Sequence, residues 1–435
     1  MHPSRAIHGR LSQLLEGRRI VIGISGSIAA IEIPRIAREL IRHGAEVQAV
    51  MTAEATRLLT PETVQFATGR APITQLTGDV EHVLWMGPGE GRADLLLLAP
   101  ATANTIAKVA HGIDDTPVTS FASMALGGGV PILIAPAMHQ QLLTNPAVRT
   151  SLEQLRSWGA EVVSPQSAEG EEKIATPEEV AAAVLHRLAR GPWAGRGLVV
   201  IGGASRQPID RVRSITNEST GATAVALARQ AHYRGATVSM WMGAHSVTVP
   251  PFLSVESWGS VEDLIALAGR EAERLRTSTA VIVPAALADF TTPPHAGKIS
   301  SRETPRLTLE LRRTSKVLPQ IRALAPHPTV LVGFKLESER SDAELEARAR
   351  RLQAEAGLDW VVANDVRTMG SVEIAAILIT PRGERRLIRG KKDDFAAKLL
   401  DDIGRELLHE KARPEPSRRG GPVASKPKAR ARRRR

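Results

Sequence analysis

Residues Arg19 to Ala30 read RIVIGISGSIAA, an apolar run that leads through a charge-free turn of small residues into a helical segment. Such apolar runs recur before other helical stretches of the first half: Arg19–Ser25, Ala45–Met51, Asp94–Pro100, Val130–Pro136 and Ala160–Pro165. Several show little alternation of apolar and polar positions, as is typical of strands covered on both faces. The sequence therefore predicts an α/β fold with a doubly wound parallel sheet.

The Gly- and Pro-containing segment Arg187–Gly197 interrupts this pattern, after which strands and helices begin again. The second set ends in a hairpin at the sheet edge, whose first strand is Ser371–Thr380, and in a closing helix over Asp393–His409. A chain of 435 residues is too long for one ordinary core. We expect two α/β domains, over residues 1–190 and 191–410, followed by a basic tail over 411–435.

The composition indicates where in the cell the protein works and which part of the chain carries its positive charge. The chain has no cysteine, no apolar run long enough for a membrane span and no signal-peptide pattern, which favours a reducing, cytoplasmic location. Eleven of the 57 Lys and Arg residues lie between Lys411 and Arg435, against the single acid Glu415, so the tail supplies most of the net charge of +11. Its composition predicts disorder. Either it is a solubilising appendage or it contacts nucleic acid non-specifically.

The turn in GISGSIAA has the features of a phosphate site. The backbone N–H groups of Ser25, Gly26 and Ser27 could surround a phosphate, aided by the following helix N-terminus. A tight structural turn is an equally good interpretation of this stretch alone, since it is not a Walker loop. Other polar loops follow later strands, where the ligand of a doubly wound sheet binds. They contain Thr52 and, in APATANTIAKVAHG (residues 99–112), the group Thr102, Ala103 and Asn104.

These stretches resemble the flavin-containing cysteine decarboxylase family. The matching pieces are SGSIAA, MTAEAT, PATANTIAKVAHGIDD and PAM, in the family's order. With its second half included, the chain resembles the family of bifunctional phosphopantothenoylcysteine decarboxylases/phosphopantothenate–cysteine ligases of coenzyme A synthesis. The resemblance implies a flavodoxin-like FMN-binding domain and a catalytic role for His82 in GDVEHVLW.

Two departures concern the decarboxylase half. The family's Pro-Ala-Met-Asn is Pro-Ala-Met-His here, so that His139 stands where an asparagine holds the substrate carboxylate. The family's lid with its proton-donating cysteine is replaced by AEGEEKIATPEEV (residues 168–180). The reaction implied by the resemblance is flavin oxidation of the cysteinyl thiolate, loss of CO2, and reduction of the resulting ene-thiol. His139 can still hydrogen-bond a carboxylate.

The stretch GGASRQPIDRVRSITNESTG (residues 202–221) resembles the ligase signature of the same family. The resemblance implies that its extended loop crosses a nucleotide and presents Asn217 to an acyl-nucleotide intermediate. It also implies a Rossmann-like nucleotide-binding domain in which Asp289 of PAALADF contacts the ribose or base, Lys298 of GKISS the triphosphate, and Phe334 of VGFKLES the base. Thr314 and Ser315 replace the family's Asn-Pro pair.

The chemistry implied for this half is carboxylate activation. The carboxylate of 4'-phosphopantothenate attacks the α-phosphate of CTP (or, less well matched, ATP), and the cysteine amine then displaces the nucleotide. Mg2+ would neutralise the triphosphate, and no side chain is assigned as a metal ligand. We also expect a homo-oligomer.

Three alternatives remain at this point. The first is a flavin-binding carrier or sensor with an inactive decarboxylase half. The second is a dinucleotide-dependent oxidoreductase, which would need a G-x-G-x-x-G turn that GGASRQ does not supply. The third is an RNA-associated function of the tail. Bound flavin would exclude the second and third.

Overall fold

The computed structural model describes residues 2–164, 166–168, 171–300, 302, 304, 306–338, 341–365 and 371–411; of residues 166–168, 171–173 and 409–411 it describes the backbone alone. The predicted tail from residue 412 onward lies outside this part of the chain. Lys411, assigned to the tail from the sequence, is the last residue of the final helix.

The first domain contains a five-stranded parallel sheet in the order β2-β1-β3-β4-β6 and a small antiparallel sheet in the order β5-β8-β7. Its strands are β1 Arg19–Ile24, β2 Glu46–Met51, β3 Leu95–Ala101, β4 Ile132–Pro136, β5 Met138–His139, β6 Glu161–Val162, β7 Gln166–Ala168 and β8 Glu171–Lys173. Its helices are α1 Pro3–Ile7, α2 Ile33–Arg42, α3 Ala53–Thr56, α4 Pro61–Thr68, α5 Glu81–Met86, α6 Ala103–Ala110, α7 Pro117–Gly128, α8 Gln140–Leu143, α9 Pro146–Ser157 and α10 Pro177–Leu188, with a 3-10 helix at Ile28–Glu32.

The parallel sheet of this domain has the flavodoxin-like strand order, with its switch point between β1 and β3. All seven residues of β3 are buried, which explains the unbroken apolar run in the sequence. One core cluster packs on each face of the sheet: α2 and α10 on one side, and α6, α7 and α9 on the other. The fold class predicted for this half is confirmed.

The second domain contains an eight-stranded sheet in the order β13-β12-β9-β14-β17-β18-β19-β20, which is parallel except for the last two pairings. Its strands are β9 Gly197–Gly202, β10 Arg206–Pro208, β11 Ser214–Thr216, β12 Thr237–Met242, β13 Ser254–Ser257, β14 Ala280–Val283, β15 Phe290–Thr291, β16 Arg312–Arg313, β17 Val330–Glu337, β18 Trp360–Asp365, β19 Glu373–Ile379 and β20 Arg385–Lys391. Its helices are α11 Ala222–Tyr233, α12 Val261–Arg270, α13 Ala272–Thr277, α14 Val317–Leu324, α15 Asp342–Ala356 and α16 Lys392–Lys411.

This sheet is also covered on both faces, by α11 and α16 on one side and by α12, α14 and α15 on the other. The antiparallel pair β19–β20 is the predicted edge hairpin. The short strands β10 and β11 form a separate hairpin where the sequence predicts an extended loop. The turn between β10 and β11 contains Asp210, which belongs to the candidate site.

The two domains pack together through α10 and α11. The imidazoles of His186 on α10 and His232 on α11 stack with their centroids 4.4 Å apart, and Phe252 lies 4.8 Å from His232. Tyr233 of the second domain is buried in the core cluster of the first. Aromatic rings therefore form part of the contact between the domains, together with the ion pair between Glu178 of α10 and Arg229 of α11.

Candidate functional site: a phosphate turn and a nucleotide cleft

The turn after β1 is joined to the loop after β3 by Ser25, which is buried. Its hydroxyl donates to the carbonyl of Pro100 at 2.6 Å and accepts from the N–H of Thr102 at 3.0 Å, while its own N–H donates to Pro100 at 3.3 Å. The hydroxyl proton and the backbone N–H of Ser25 are therefore both used in hydrogen bonds within the protein. The sequence predicts that the N–H of Ser25 binds a phosphate; in this structure that N–H is bonded to Pro100, and the hydroxyl sets the spacing of two loops.

Other donors at the same edge of the sheet remain free. Among the described residues, the N–H of Gly26 has no hydrogen-bond acceptor. The hydroxyl of Ser27 accepts from the N–H of Ala29, which leaves its proton available. Ala103 and Asn104 are the first residues of α6, whose N-cap is Thr102. Their N–H groups therefore have no carbonyl acceptor within the helix. These groups fit the phosphate of a flavin mononucleotide.

The loop after β2 closes the other side of this turn. The N–H of Thr52 donates to the carbonyl of Ile24 at 3.0 Å, and its hydroxyl caps α3 by accepting from Ala55. A Cβ on Gly26 would collide with the side chain of Glu54, so this position requires glycine. The structure therefore brings Ser25, Gly26 and Ser27 together with Thr52 as the sequence predicts.

His139 lies at the same edge, beyond the end of β4. The N–H of Ala137 donates to Ala101 at 3.2 Å, which places the PAMH segment beside the loop after β3. His139 itself is exposed and stands opposite Glu171 in the β5–β8 ladder. The segment that replaces the family's lid thus forms a hairpin against the histidine, with Glu169 and Gly170 outside the described residues.

His82 lies elsewhere in the domain. It is on α5, one turn before Trp85, whose ring carries the guanidinium of Arg19 at 4.4 Å. Arg19 begins β1, so this end of α5 is at the amino edge of the sheet, opposite the phosphate turn. Its buried Nδ1 has no hydrogen-bond partner among the described residues. Within one chain, the structure does not bring His82 into contact with the other predicted flavin-site residues.

In the second domain, the hairpin β10–β11 is closed by the carboxylate of Asp210, which is fully buried. It accepts from the N–H groups of Val212 and Arg213 at 2.8 and 2.7 Å, from the Arg213 guanidinium at 2.7 Å and from the N–H of Ile299 at 3.1 Å. Burial alone would raise the pKa of Asp210, but these donors outweigh it and lower the pKa from 3.8 to about 2. The signature loop is thus held to the segment that carries Lys298.

The glycine turn after β9 is packed against neighbouring backbone. Gly203 has φ +81°, and a Cβ there would lie 2.8 Å from the backbone of Gly243. The buried hydroxyl of Ser205 accepts from the N–H of Ala288 at 2.8 Å, and the amide of Asn217 donates to the carbonyl of Leu287 at 3.0 Å. The signature loop therefore lies against the PAALADF segment.

A cleft of about 710 Å3 opens at the carboxyl edge of this sheet. Its lining includes Asn217, Asp289 and Phe334, three residues that the sequence predicts to contact the nucleotide. Its other walls come from the start of α11, the start of α14 and one face of α15. A cleft at the switch point of a doubly wound sheet is where such folds bind nucleotides.

Two predicted ligand groups have different surroundings. Asp289 is exposed at the rim of the cleft, where its carboxylate pairs with the ammonium of Lys316 at 2.7 Å. Lys298 is exposed, outside the cleft lining, on the segment held by Asp210. A triphosphate contact by Lys298 therefore requires movement of this segment or a ligand that extends beyond the cleft.

The described residues contain no group of three or more His, Asp or Glu side chains that could hold a metal ion. In the same part of the chain, no helix has the length and apolar character needed to cross a membrane.

The fold and site thus define a protein with two α/β domains, one with free N–H donors in a turn of a flavodoxin-like sheet and one with a cleft at the switch point of its sheet. Residues 8–189 match the family model described as Flavoprotein, and residues 193–407 match the DNA/pantothenate metabolism flavoprotein C-terminal domain. The coenzyme A biosynthesis bifunctional protein CoaBC of Thermococcus kodakarensis is 40% identical over 409 residues, which cover 94% of this chain and 100% of the relative. The corresponding protein of Methanocaldococcus jannaschii is 32% identical over 407 residues, covering 93% and 97%.

The chain belongs to the CoaBC family of bifunctional coenzyme A biosynthesis proteins. Among solved structures, the FMN-dependent cysteine decarboxylase SpaF is 31% identical with a TM-score of 0.34, covering 39% of this chain and 99% of that one. The family resemblance derived from the sequence motifs is confirmed. The carrier and oxidoreductase alternatives are not favoured, because both domain families match in the order expected for the bifunctional protein.

Proposed function

We propose that the chain carries out two consecutive reactions of coenzyme A biosynthesis. The ligase domain joins cysteine to 4'-phosphopantothenate with CTP, and the flavoprotein domain decarboxylates the product to 4'-phosphopantetheine. The observation that carries this proposal is the single cleft formed by Asn217, the α11 start, the PAALADF segment and Phe334. These separate parts of the ligase signature converge there, while the first domain has its own phosphate turn.

In the ligase cleft, the α11 N-terminus faces the triphosphate, because the N–H groups of Thr223 and Ala224 have no acceptor among the described residues and favour anions. The N–H groups of Gly221 and Ala222 are engaged by the hydroxyls of Ser219 and Thr220. Asn217 is held by Leu287 with its amide at the cleft wall, where it can donate to the oxyanion of the acyl-nucleotide. Lys298 completes the site when the Asp210-held segment moves inward. Mg2+ enters with the nucleotide as its counter-ion rather than at a resident site.

In the flavoprotein domain, the donors of Gly26, Ser27, Ala103 and Asn104 hold the phosphate of FMN. When bound, FMN supplies the two-electron oxidation and reduction that the decarboxylation requires. His139, at the same edge, hydrogen-bonds the substrate carboxylate in place of the family's asparagine. The roles of these residues, and the domain boundary near residue 190, remain predictions.

We further propose that the protein works as a homo-oligomer in which His82 serves the flavin site of a neighbouring copy. The placement of α5 supports this. His82 lies near the amino end of β1 and the phosphate turn follows its carboxyl end, and the six residues of β1 separate the two by about 20 Å. A cytoplasmic location and non-specific nucleic-acid contact of the tail also remain predictions.

The division of labour is tested with Asn217→Asp and Lys298→Gln in the full-length protein. Each is expected to lower ligation on the order of 10–100-fold, since each removes a contact to a charged group. Neither should change decarboxylation of supplied 4'-phosphopantothenoylcysteine. Equal loss of both activities would contradict two separate sites, and a colourless purified protein would contradict the flavin assignment.

The shared flavin site is tested by mixing two inactive variants. His82→Asn and Asn104→Asp are expected to lack decarboxylation when each is expressed alone. Co-expression should restore a fraction of the activity, because some sites then combine an intact His82 with an intact phosphate turn. Co-expressed variants that form mixed oligomers without regaining activity would show that His82 acts within its own chain.

A further inference from the structure

The ligase cleft contains a lysine that neither the sequence analysis nor the proposed chemistry uses. Lys392 is the first residue of α16 and lines the cleft together with Phe334 and Ile374. Its side chain is half-buried.

Three other cations of the cleft have an acidic partner, whereas Arg351 is exposed to solvent and has none among the described residues. Lys316 pairs with Asp289 at 2.7 Å, and Lys335 and Arg348 pair with Glu337 at 3.0 and 3.1 Å. Lys392 differs from all of them, since it is half-buried and its ammonium has no carboxylate, hydroxyl or carbonyl partner among the described residues.

The nearest carboxylate along the chain is not available to Lys392. Asp393 is taken by Arg229 of α11, with an Nη2–Oδ1 distance of 2.6 Å. Burial lowers the pKa of Lys392, and no anion of the described residues offsets this effect. A half-buried ammonium without a partner is unfavourable in the free protein, and a bound acceptor would remove that cost.

The position of Lys392 selects the part of the ligand that it meets. One turn after it, Phe395 packs edge-on against Phe334 with ring centroids 6.3 Å apart. Lys392 is thereby held at the aromatic and apolar end of the cleft. The glycine turn at Gly203 and the segment up to Gly221, which suit the phosphates, form another part of the lining.

Building on the function proposed above, we propose that Lys392 recognises the nucleotide base, with its ammonium donating to O2 and N3 of cytosine. A lysine ammonium has three donors and no acceptor, so it favours a base edge that presents only acceptors. Cytosine presents O2 and N3 as adjacent acceptors. Uracil carries a proton on N3 and therefore opposes the same donor.

The test compares Lys392→Met with Lys391→Met in the full-length protein. Methionine keeps an apolar stem and removes the charge, and Lys391 is the adjacent, exposed lysine outside the cleft lining. We measure KM and kcat for ligation with CTP and with UTP, and CTP affinity by calorimetry.

Lys392→Met is expected to raise KM for CTP on the order of 10–100-fold with a small change in kcat. The same variant should change KM for UTP much less, so that the preference for CTP collapses. Lys391→Met should leave both constants within about threefold of the wild type.

Three results would overturn the inference. Equal increases in KM for CTP and UTP would place Lys392 at the sugar or phosphates. Equal changes in KM for Lys392→Met and Lys391→Met would mean that only the total positive charge matters. Unchanged KM would exclude any contact with the nucleotide. If Lys392→Met lowers the melting temperature, Lys392→Gln provides the same comparison with a polar side chain.

Failure of the function proposed above has a different outcome. In that case the wild-type protein itself forms no cysteine conjugate with CTP. Wild-type ligation with CTP that is insensitive to Lys392 contradicts only the base-recognition role.

Discussion

At the scale of single residues, Asp210 has a structural effect that its place in a sequence motif does not reveal. Its carboxylate accepts hydrogen bonds from two sides, closing the β10–β11 hairpin and holding the N–H of Ile299. Because Ile299 follows Lys298, this one buried group fixes the base of the segment that carries a predicted catalytic lysine. It acts on the site through backbone position.

We predict that Asp210→Asn lowers ligation at least tenfold while decarboxylation of the supplied conjugate is unchanged. The neutral amide of asparagine removes the ion pair with Arg213. Its NH2 group would also face backbone N–H donors, which it cannot accept from. Because its folded pKa of about 2 lies below the ordinary 3.8, Asp210 contributes stability that is present above about pH 4. This contribution is lost as the pH falls towards 2.

The measurement is the melting temperature of the ligase domain between pH 5 and 2, together with both activities at neutral pH. The variant should show a shallower decline with acid than the wild type. Asp263→Asn, an exposed helix-capping carboxylate in the same domain, serves as the matched control. Identical acid profiles for Asp210→Asn and the wild type would contradict the assignment.

A substitution of His139 can separate substrate binding from flavin binding by the neighbouring turn. We predict that His139→Asn retains bound flavin and decarboxylation but raises KM for the cysteine conjugate several-fold, because an amide keeps one neutral hydrogen bond to the carboxylate. Steady-state kinetics and the visible spectrum measure the two effects. Loss of flavin would instead indicate that His139 supports the cofactor site.

At the scale of secondary-structure elements, the phosphate end of the ligase cleft depends on how closely α11 packs on β9. Gly202 ends β9, and a Cβ added there would overlap the Cβ of Ala224 in the first turn of α11. This contact sets the position of the helix N-terminus relative to the glycine turn. The same contact requires a residue without a Cβ at position 202.

We predict that Gly202→Ala destabilises the ligase domain by about 1–3 kcal/mol and lowers ligation, because it forces α11 away from the strand. The double variant Gly202→Ala, Ala224→Gly removes the overlap and should recover most of the activity, although glycine within the helix costs about 1 kcal/mol. Chemical unfolding and ligation assays measure both. A double variant no better than the single one would show that the helix position is not the cause.

At the scale of the whole molecule, the two domains are connected by an aromatic contact that includes histidines. His186 stacks on His232, and its Nδ1 donates to the backbone carbonyl of His232 at 3.0 Å. His43 and Tyr233 adjoin them, and Glu178 reaches Arg229 at 3.4 Å. Burial, with a smaller effect of His186, lowers the pKa of His232 to about 4.

We predict that the contact between the domains weakens as the pH falls from about 6.5 to 4. In that range His232 takes up a proton when the domains are apart but not when they are packed, so acid favours separation. Small-angle scattering and proteolysis within residues 189–196 measure the separation. His232→Gln should remove much of the dependence, and an unchanged profile in this variant would contradict the mechanism.

The sequence by itself determined the fold class, the order of the two domains and the family. Buried parallel strands, glycine turns and the spacing of polar loops are local features, and these follow from residues close together in the chain. The motif residues Gly26, Thr52 and Thr102 accordingly lie at the sheet edge where the strands before them end.

Only the tertiary structure decided which groups remain free to bind a ligand. Ser25 is engaged with Pro100, and Asp289 is paired with Lys316. Lys392 has no partner among the described residues, and Arg229, far away in the chain, takes the neighbouring carboxylate of Asp393. The tertiary fold likewise separates His82 from the phosphate turn. Availability for binding depends on burial and on hydrogen-bond partners brought from other elements, and a linear motif contains neither.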